Sequence, residues 1–206
     1  MGNRKNVILL ATRNPGKVRE IKAILQDYGV EVVSLADYPD VPEVVEDGAT
    51  FFDNAFKKAK EVSEATGMMV LSDDSGLEVD ALGGRPGVFS ARYGGKPGDD
   101  AANNEKLLKE LEGVPEDKRT ARFRCVMVLY HPSGKWISAE GSCEGKIALR
   151  PAGTGGFGYD PIFYLEQYGK TMAELTPEEK NRISHRAKAL QALKGQIKEF
   201  LDSVQS

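Results

Sequence analysis

The apolar residues of this chain come in short runs, and several of those runs lead through a turn into a helical stripe. Val7–Ala11 is unbroken and opens on two β-branched residues, which predicts a buried strand with parallel neighbours. Thr12-Arg13-Asn14-Pro15-Gly16 then reads as a turn, and Val18, Ile21, Ile24 and Leu25 fall on one helical face from Lys17 until Gly29. Val30–Leu35 suits a second strand. A Pro- and acid-rich loop follows over residues 36–48, then a helix from about Thr50 to Thr66, with Thr50 and Asp53 as a capping pair and Gly67 as its stop. Met68–Ser72 and Leu77–Ala81 read as two further strands, and Asp99–Glu112 as a helix with the stripe Ala102, Leu107, Leu108 and Leu111.

Strands over about 120–131 and 135–146 flank the turn His131-Pro132-Ser133-Gly134. A Gly-rich loop, Gly153–Asp160, precedes a short strand, Pro161–Tyr164. Thr176, Pro177 and Glu179 mark a helix start, and Ser184 sits where a second helix could begin after a break. The last stripe is Ile183, Ala187, Leu190, Leu193, Ile197, Leu201 and Val204. Helices alternating with strands, with a hairpin inserted, imply a mixed α/β sheet with flanking helices.

Composition removes several classes. No apolar run approaches the roughly 20 residues of a membrane span, or the roughly 7–15 of a signal-peptide core, so no membrane association is expected. Acids outnumber bases 31 to 28, for a formal charge of −3, which argues against a general nucleic-acid binder. Cys125 and Cys143 are too few for a disulfide scaffold, and His131 and His185 too few for a His-rich metal site. A cytoplasmic enzyme or binding protein is the expectation.

Five segments could carry chemistry. In Thr12-x-Asn14-x-Gly16-Lys17 a strand delivers a glycine-containing turn to a helix start, where backbone N–H groups and the helix dipole favour an anion and Lys17 adds charge. An ordinary strand-to-helix turn reads equally well there. In Ser72-Asp73-Asp74-Ser75-Gly76 two adjacent acids end an apolar run; they are costly unless used, and on a strand they point to opposite faces.

Asn54 and Lys58 share a helix face, while Asp53 and Lys57 read as a solvated surface pair. Glu46, in a loop that also offers Glu43 and Asp47, could join Asp74 in holding Mg²⁺, which binds through one or two carboxylates plus substrate phosphates. In Gly156-Phe157-Gly158-Tyr159-Asp160 an aromatic ring could stack on a base and an acid could meet its edge; a tight loop with core aromatics is the alternative. Lys180, His185 and Arg186 lie around the expected helix break, and Arg92 reads as a structural anchor.

Those segments, with Gly84-x-Pro86-Gly87-x-x-Ser90-Ala91-Arg92-Tyr93 and Ser184-His185-Arg186, occur in an order that resembles the inosine/xanthosine triphosphate pyrophosphatase family over roughly residues 5–200. The resemblance implies one ITPase-like domain over 1–206, with two lobes around a central cleft, working as a homodimer. It implies Mg²⁺-dependent hydrolysis of dITP, ITP or XTP to the monophosphate and pyrophosphate. By position, Thr12, Arg13, Asn14, Pro15, Gly16, Lys17 and Lys58 would hold phosphates, with Asn54 beside them. Asp74 would be the acid/base residue and, with Glu46, a metal ligand. Ser75, Phe157, Gly158, Tyr159, Asp160, Lys180, His185 and Arg186 would bind the nucleotide. A Maf-like pyrophosphatase with another substrate and a non-hydrolysing nucleotide sensor are the competing readings.

Overall fold

The computed structural model describes residues 7–25 and 30–205. Among the described residues, strands and α-helices alternate as far as the fourth strand, after which three more strands and then two helices follow in succession, seven strands and five α-helices in all. Strands β1 (Val7–Leu10), β2 (Glu31–Ser34), β3 (Met69–Val79), β4 (Thr120–Tyr130), β5 (Trp136–Ile147), β6 (Phe163–Leu165) and β7 (Lys170–Thr171) hydrogen-bond in the order β2-β1-β3-β4-β5-β6-β7. β1 runs parallel to both β2 and β3, whereas β5–β6 and β6–β7 are antiparallel, so the sheet is mixed as expected. The helices are α1 (Pro15–Leu25), α2 (Phe51–Thr66), α3 (Asp100–Glu110), α4 (Pro177–Ile183) and α5 (His185–Gln205). None of the described helices is long and apolar enough to cross a membrane.

The chain forms two compact units. One comprises the residues up to Asp74, Cys125–Gly141 and the chain from Arg186 on; the other comprises Ser75–Arg124 and Ser142–His185. The core of the first follows from the period-two rule of strands. Ile8 and Leu10 on β1, Met69 and Leu71 on β3, and Cys125, Met127 and Leu129 on β4 join Ile21 and Leu25 of α1 and Leu190, Leu193 and Ile197 of α5. Each fully buried Leu or Ile there contributes about 1.5–3 kcal/mol by leaving water. On β3 the alternate residues turn to α2 instead: Ser72 Oγ donates to the Ala55 carbonyl at 2.6 Å, and Asp74 meets Asn54.

In the second unit Leu77 and Val79 of β3 pack with Leu107 and Leu111, Ala121 and Phe123, Cys143 and Ile147, and Ile162 and Phe163. Arg119 is buried there because three carbonyls take its guanidinium: Val114 at 3.0 Å, Ala148 at 3.2 Å and Leu111 at 2.7 Å.

Several boundaries depart from the sequence reading. The runs expected as separate strands, Met68–Ser72 and Leu77–Ala81, are one eleven-residue strand, because the acids between them find partners inside the fold and need not break it. α1 starts at Pro15, two residues before Lys17; its expected stop, Gly29, lies outside the described residues. The expected strand Pro161–Tyr164 is a 3₁₀ turn at Asp160–Ile162 followed by β6. On α3 the buried polar residue is Asn103, which accepts from the Gly94 N–H at 2.6 Å, while Ala102 is only half-buried. Ile183 belongs to α4 rather than to the α5 stripe, whose buried set also includes Ala189 and Phe200. Arg92 lies 5.1 Å from the Phe89 ring centre.

The capping signals are where they were expected. Thr50 caps α2, accepting from the Asp53 N–H at 3.1 Å, and the Asp53 carboxylate returns to the Thr50 N–H. Gly67 then ends the helix at φ +67°, a conformation that costs glycine nothing. Thr176 and Glu179 form the same box on α4.

Candidate active site

The first unit gathers an ionic cluster around β3. Asp73, on the α1 and α5 side, is almost fully buried and is met by Lys17 Nζ at 3.1 Å and by the Arg186 guanidinium at 3.2 and 3.3 Å. Arg186 is itself buried and also pairs with Glu20. Burial alone would push Asp73 up, but Lys17, Arg186 and Lys58 together outweigh it and hold the carboxyl well below the ordinary range. Burial likewise opposes the Arg186 charge, and Asp73 and Glu20 more than restore it.

Asp74 points the other way. Its Oδ2 accepts from Asn54 Nδ2 at 3.0 Å, and the Asn54 carbonyl oxygen is held by the Gly48 N–H at 2.7 Å. Burial pushes Asp74 above the usual carboxylate value; Lys58 opposes the shift, and the negative charge of Glu46 reinforces it. Lys58, buried one turn beyond Asn54 on α2, bonds Glu46 through Nζ. Its ammonium is disfavoured by burial but held charged by Glu46, Asp73 and Asp74. The shared face of Asn54 and Lys58 is therefore as expected. The Asp53–Lys57 pair does not form: Asp53 closes the helix cap, and Lys57 takes Asp47 at 2.6 Å.

The turn before α1 is self-capped. Asn14 Oδ1 accepts from the N–H groups of Gly16 at 2.8 Å and Lys17 at 3.2 Å, and Thr12 Oγ1 accepts from the Asn14 N–H at 3.1 Å. Two of the amides expected to face an anion are thus occupied by Asn14. Exposed Arg13 bonds the Val41 carbonyl at 2.6 Å, and Pro15 opens the helix in solvent. Among the described residues no group of three or more His, Cys, Asp or Glu side chains could hold a metal by itself. Two carboxylates, Asp74 and Glu46, close enough for one charge to shift the other, match a hydrated Mg²⁺ that draws its other ligands from water and phosphate.

The second unit holds the aromatic loop. Asp160, buried, accepts from the Phe157 N–H at 2.9 Å and from Lys180 Nζ at 2.6 Å. The Lys180 ammonium lies 4.7 Å from the Phe157 ring centre, a cation–π contact. Gly156 has φ +72°, and a Cβ there would fall 2.0 Å from Asp160 Oδ2, so only glycine fits. Tyr159 is buried and donates to the Ser90 carbonyl at 2.8 Å. Ser90, which the sequence reading gave no site role, also accepts from the Leu77 N–H at 2.8 Å. His185, at the start of α5, stacks on Phe123 at 4.8 Å and 15°. Ser75 is half-buried within β3.

Fold and sites together define a mixed α/β protein with a buried, strand-borne carboxylate pair ringed by cations and a glycine-bracketed aromatic loop. A family model described as the Ham1 family matches residues 8–196. A dITP/XTP pyrophosphatase of Desulforamulus reducens is 58% identical over 183 residues, 89% of this chain and 91% of that protein. Another from Geobacillus kaustophilus is 56% identical over 94% of this chain and 95% of its own length. Among solved structures, a HAM1 protein from Coxiella burnetii superposes with a TM-score of 0.85 at 41% identity, over 94% of this chain and 99% of that one. The chain belongs to the Ham1 family.

Proposed function

We propose that this chain is a nucleoside triphosphate pyrophosphatase that removes dITP, ITP, XTP and dXTP from the nucleotide pool by hydrolysis to the monophosphate and pyrophosphate. The observation that carries the reading is Asp74: a buried carboxyl raised above its ordinary value, aimed by Asn54 and set beside Lys58 and Glu46. Relatives named dITP/XTP pyrophosphatase at up to 58% identity supply the substrate class.

Asp74 and Glu46 are the residues that would hold Mg²⁺, and the ion when bound supplies positive charge to the triphosphate. Asp74 orients the attacking water and takes its proton; a base whose pKa is raised toward the working pH is better matched to that transfer. Water adds to phosphorus as the bond between the α- and β-phosphates breaks, and the electron pair leaves with pyrophosphate. Lys17 and Lys58 stabilise that growing charge more in the transition state than in the ground state. No covalent intermediate is needed. The Thr12–Lys17 turn receives the phosphate tail.

The second unit serves the ring. Phe157 stacks on the purine, while Lys180 and Asp160 hold the ring and its loop in place. His185 supplies donor character to the 6-oxo group that hypoxanthine and xanthine share and adenine lacks; a site built to bond that group rejects the amino analogue strongly. Arg186 acts through Asp73 and Glu20, and Tyr159 through Ser90. We count residues 1–206 as a single ITPase-like domain, in keeping with the family model that matches residues 8–196. The chain works as a homodimer in the cytoplasm.

The test is pyrophosphate release with Mg²⁺ from dITP, XTP, dATP, dTTP and UTP. Release from the first two alone is expected. Preferential release from dTTP or UTP points to the Maf-like alternative, and tight binding of dITP without release points to a sensor.

A further inference from the structure

One face of α3 grips the aromatic loop at a single residue. Asp100 and Asn104 are one turn apart on that helix and so stand side by side. Asp100 Oδ2 accepts from the Gly158 N–H at 2.7 Å, and Asn104 Nδ2 donates to the Gly158 carbonyl at 2.9 Å. Both polar groups of Gly158 are therefore bound by two side chains of one rigid element. Gly158 has φ +63°, and a Cβ there would meet no atom within 4 Å, so the glycine serves backbone conformation and not space. Such a residue is the softest point of a loop, and here it is the point that is clamped.

The clamp has a cost that a purely structural contact would avoid. Asn104 Oδ1 is buried and finds no hydrogen-bond partner among the described residues. Buried polar atoms are almost always satisfied, and the exceptions need a reason. The amide is turned so that its donor reaches Gly158, although its own oxygen is left unpaired. Gly158 lies directly between Phe157, whose N–H is held by Asp160, and Tyr159, whose hydroxyl is held by Ser90. Fixing the peptides on both sides of Gly158 fixes the backbone from which the Phe157 ring projects.

We propose that Asp100 and Asn104 are positioning residues that set the Phe157 platform and so govern affinity for the purine ring, separately from affinity for the phosphate tail. The inference rests on the nucleotide reading of the loop given above. Binding energy drawn from the ring is present before and during the reaction, so its loss raises KM and leaves kcat nearly unchanged.

The experiment measures dITP kinetics with Mg²⁺ for the wild type, Asp100→Ala, Asn104→Ala and Asp100→Asn, together with inhibition by inosine monophosphate and by inorganic pyrophosphate. Each alanine variant is expected to raise KM for dITP and the inhibition constant of inosine monophosphate by roughly tenfold, the scale of one lost hydrogen bond. The constant for pyrophosphate and kcat should stay within about twofold. Asp100→Asn keeps an acceptor oxygen and should restore wild-type KM. Should an alanine variant fail to fold, as thermal denaturation would show, Asn104→Leu removes the donor while keeping a γ-branched side chain and carries the same expectation.

An unchanged KM, or equal weakening of inosine monophosphate and pyrophosphate, overturns the clamp. A wild type that releases no pyrophosphate from dITP overturns the proposed reaction, and the clamp's purpose with it.

Discussion

Asp73 and Asp74 are neighbours on one strand, yet the first is held by Lys17 and Arg186 and the second by Asn54, on the opposite side. Their carboxyl groups are driven apart accordingly, Asp73 downward by surrounding cations despite its burial and Asp74 upward by burial. Asp73 is thus kept in its charged form by its cations, and Asp74 is the carboxyl to which we assign proton transfer.

Asp74→Asn is nearly isosteric and removes the proton acceptor. Turnover of dITP should fall by about 10²–10⁴, the usual contribution of a general base. KM should change much less, because the lysines remain. Pyrophosphate release under saturating dITP and Mg²⁺ checks this, and turnover within a few-fold of wild type would remove Asp74 from its role.

Arg186→Met fills similar space and leaves Asp73 and Glu20 without the guanidinium that binds both. Breaking a buried pair from one side costs about 3–5 kcal/mol. The urea midpoint should drop accordingly, with its slope unchanged. Adding Asp73→Leu should recover part of the loss, since the stranded carboxylate goes too.

Gly156→Ala forces a side chain into φ +72° and into the Asp160 carboxylate. The backbone term alone is about 1–3 kcal/mol. Because Asp160 also holds Phe157 and Lys180, KM for dITP should rise more than the shift in melting temperature would suggest. Parallel kinetics and thermal melts separate the two effects.

Cys125 should resist alkylation in the native protein. Burial, helped by the nearby Asp73 charge, pushes its thiol up to about 12, so almost no thiolate exists at pH 8. Cys143 is buried as well. Iodoacetamide should modify neither cysteine until the chain is unfolded, when mass spectrometry should show both labelled.

Much of this was legible in the sequence because it is written in local chemistry. The Thr50–Asp53 and Thr176–Glu179 boxes, Gly67, the His131–Gly134 turn and the break at Ser184 depend on neighbours a few residues away. The continuity of β3 was not legible, because acids within an apolar run look like a strand end until distant partners, Lys17, Arg186 and Asn54, are known. The same holds for Lys57, whose partner is loop residue Asp47 rather than Asp53, and for Arg119, which no motif marks. Asp100 and Asn104 read in the sequence as the polar side of an ordinary helix, since their target, Gly158, lies more than fifty residues on.

The arrangement of Asp73, Arg186, Glu20 and Lys17 also bears on how such a chain can drift. Replacing any one member leaves the buried charges of the others less fully compensated, so isolated changes are penalised while coordinated ones are tolerated. Homologous sequences should therefore either retain all four or exchange them as a set. Libraries that randomise these positions jointly should yield folded proteins that single-site libraries miss.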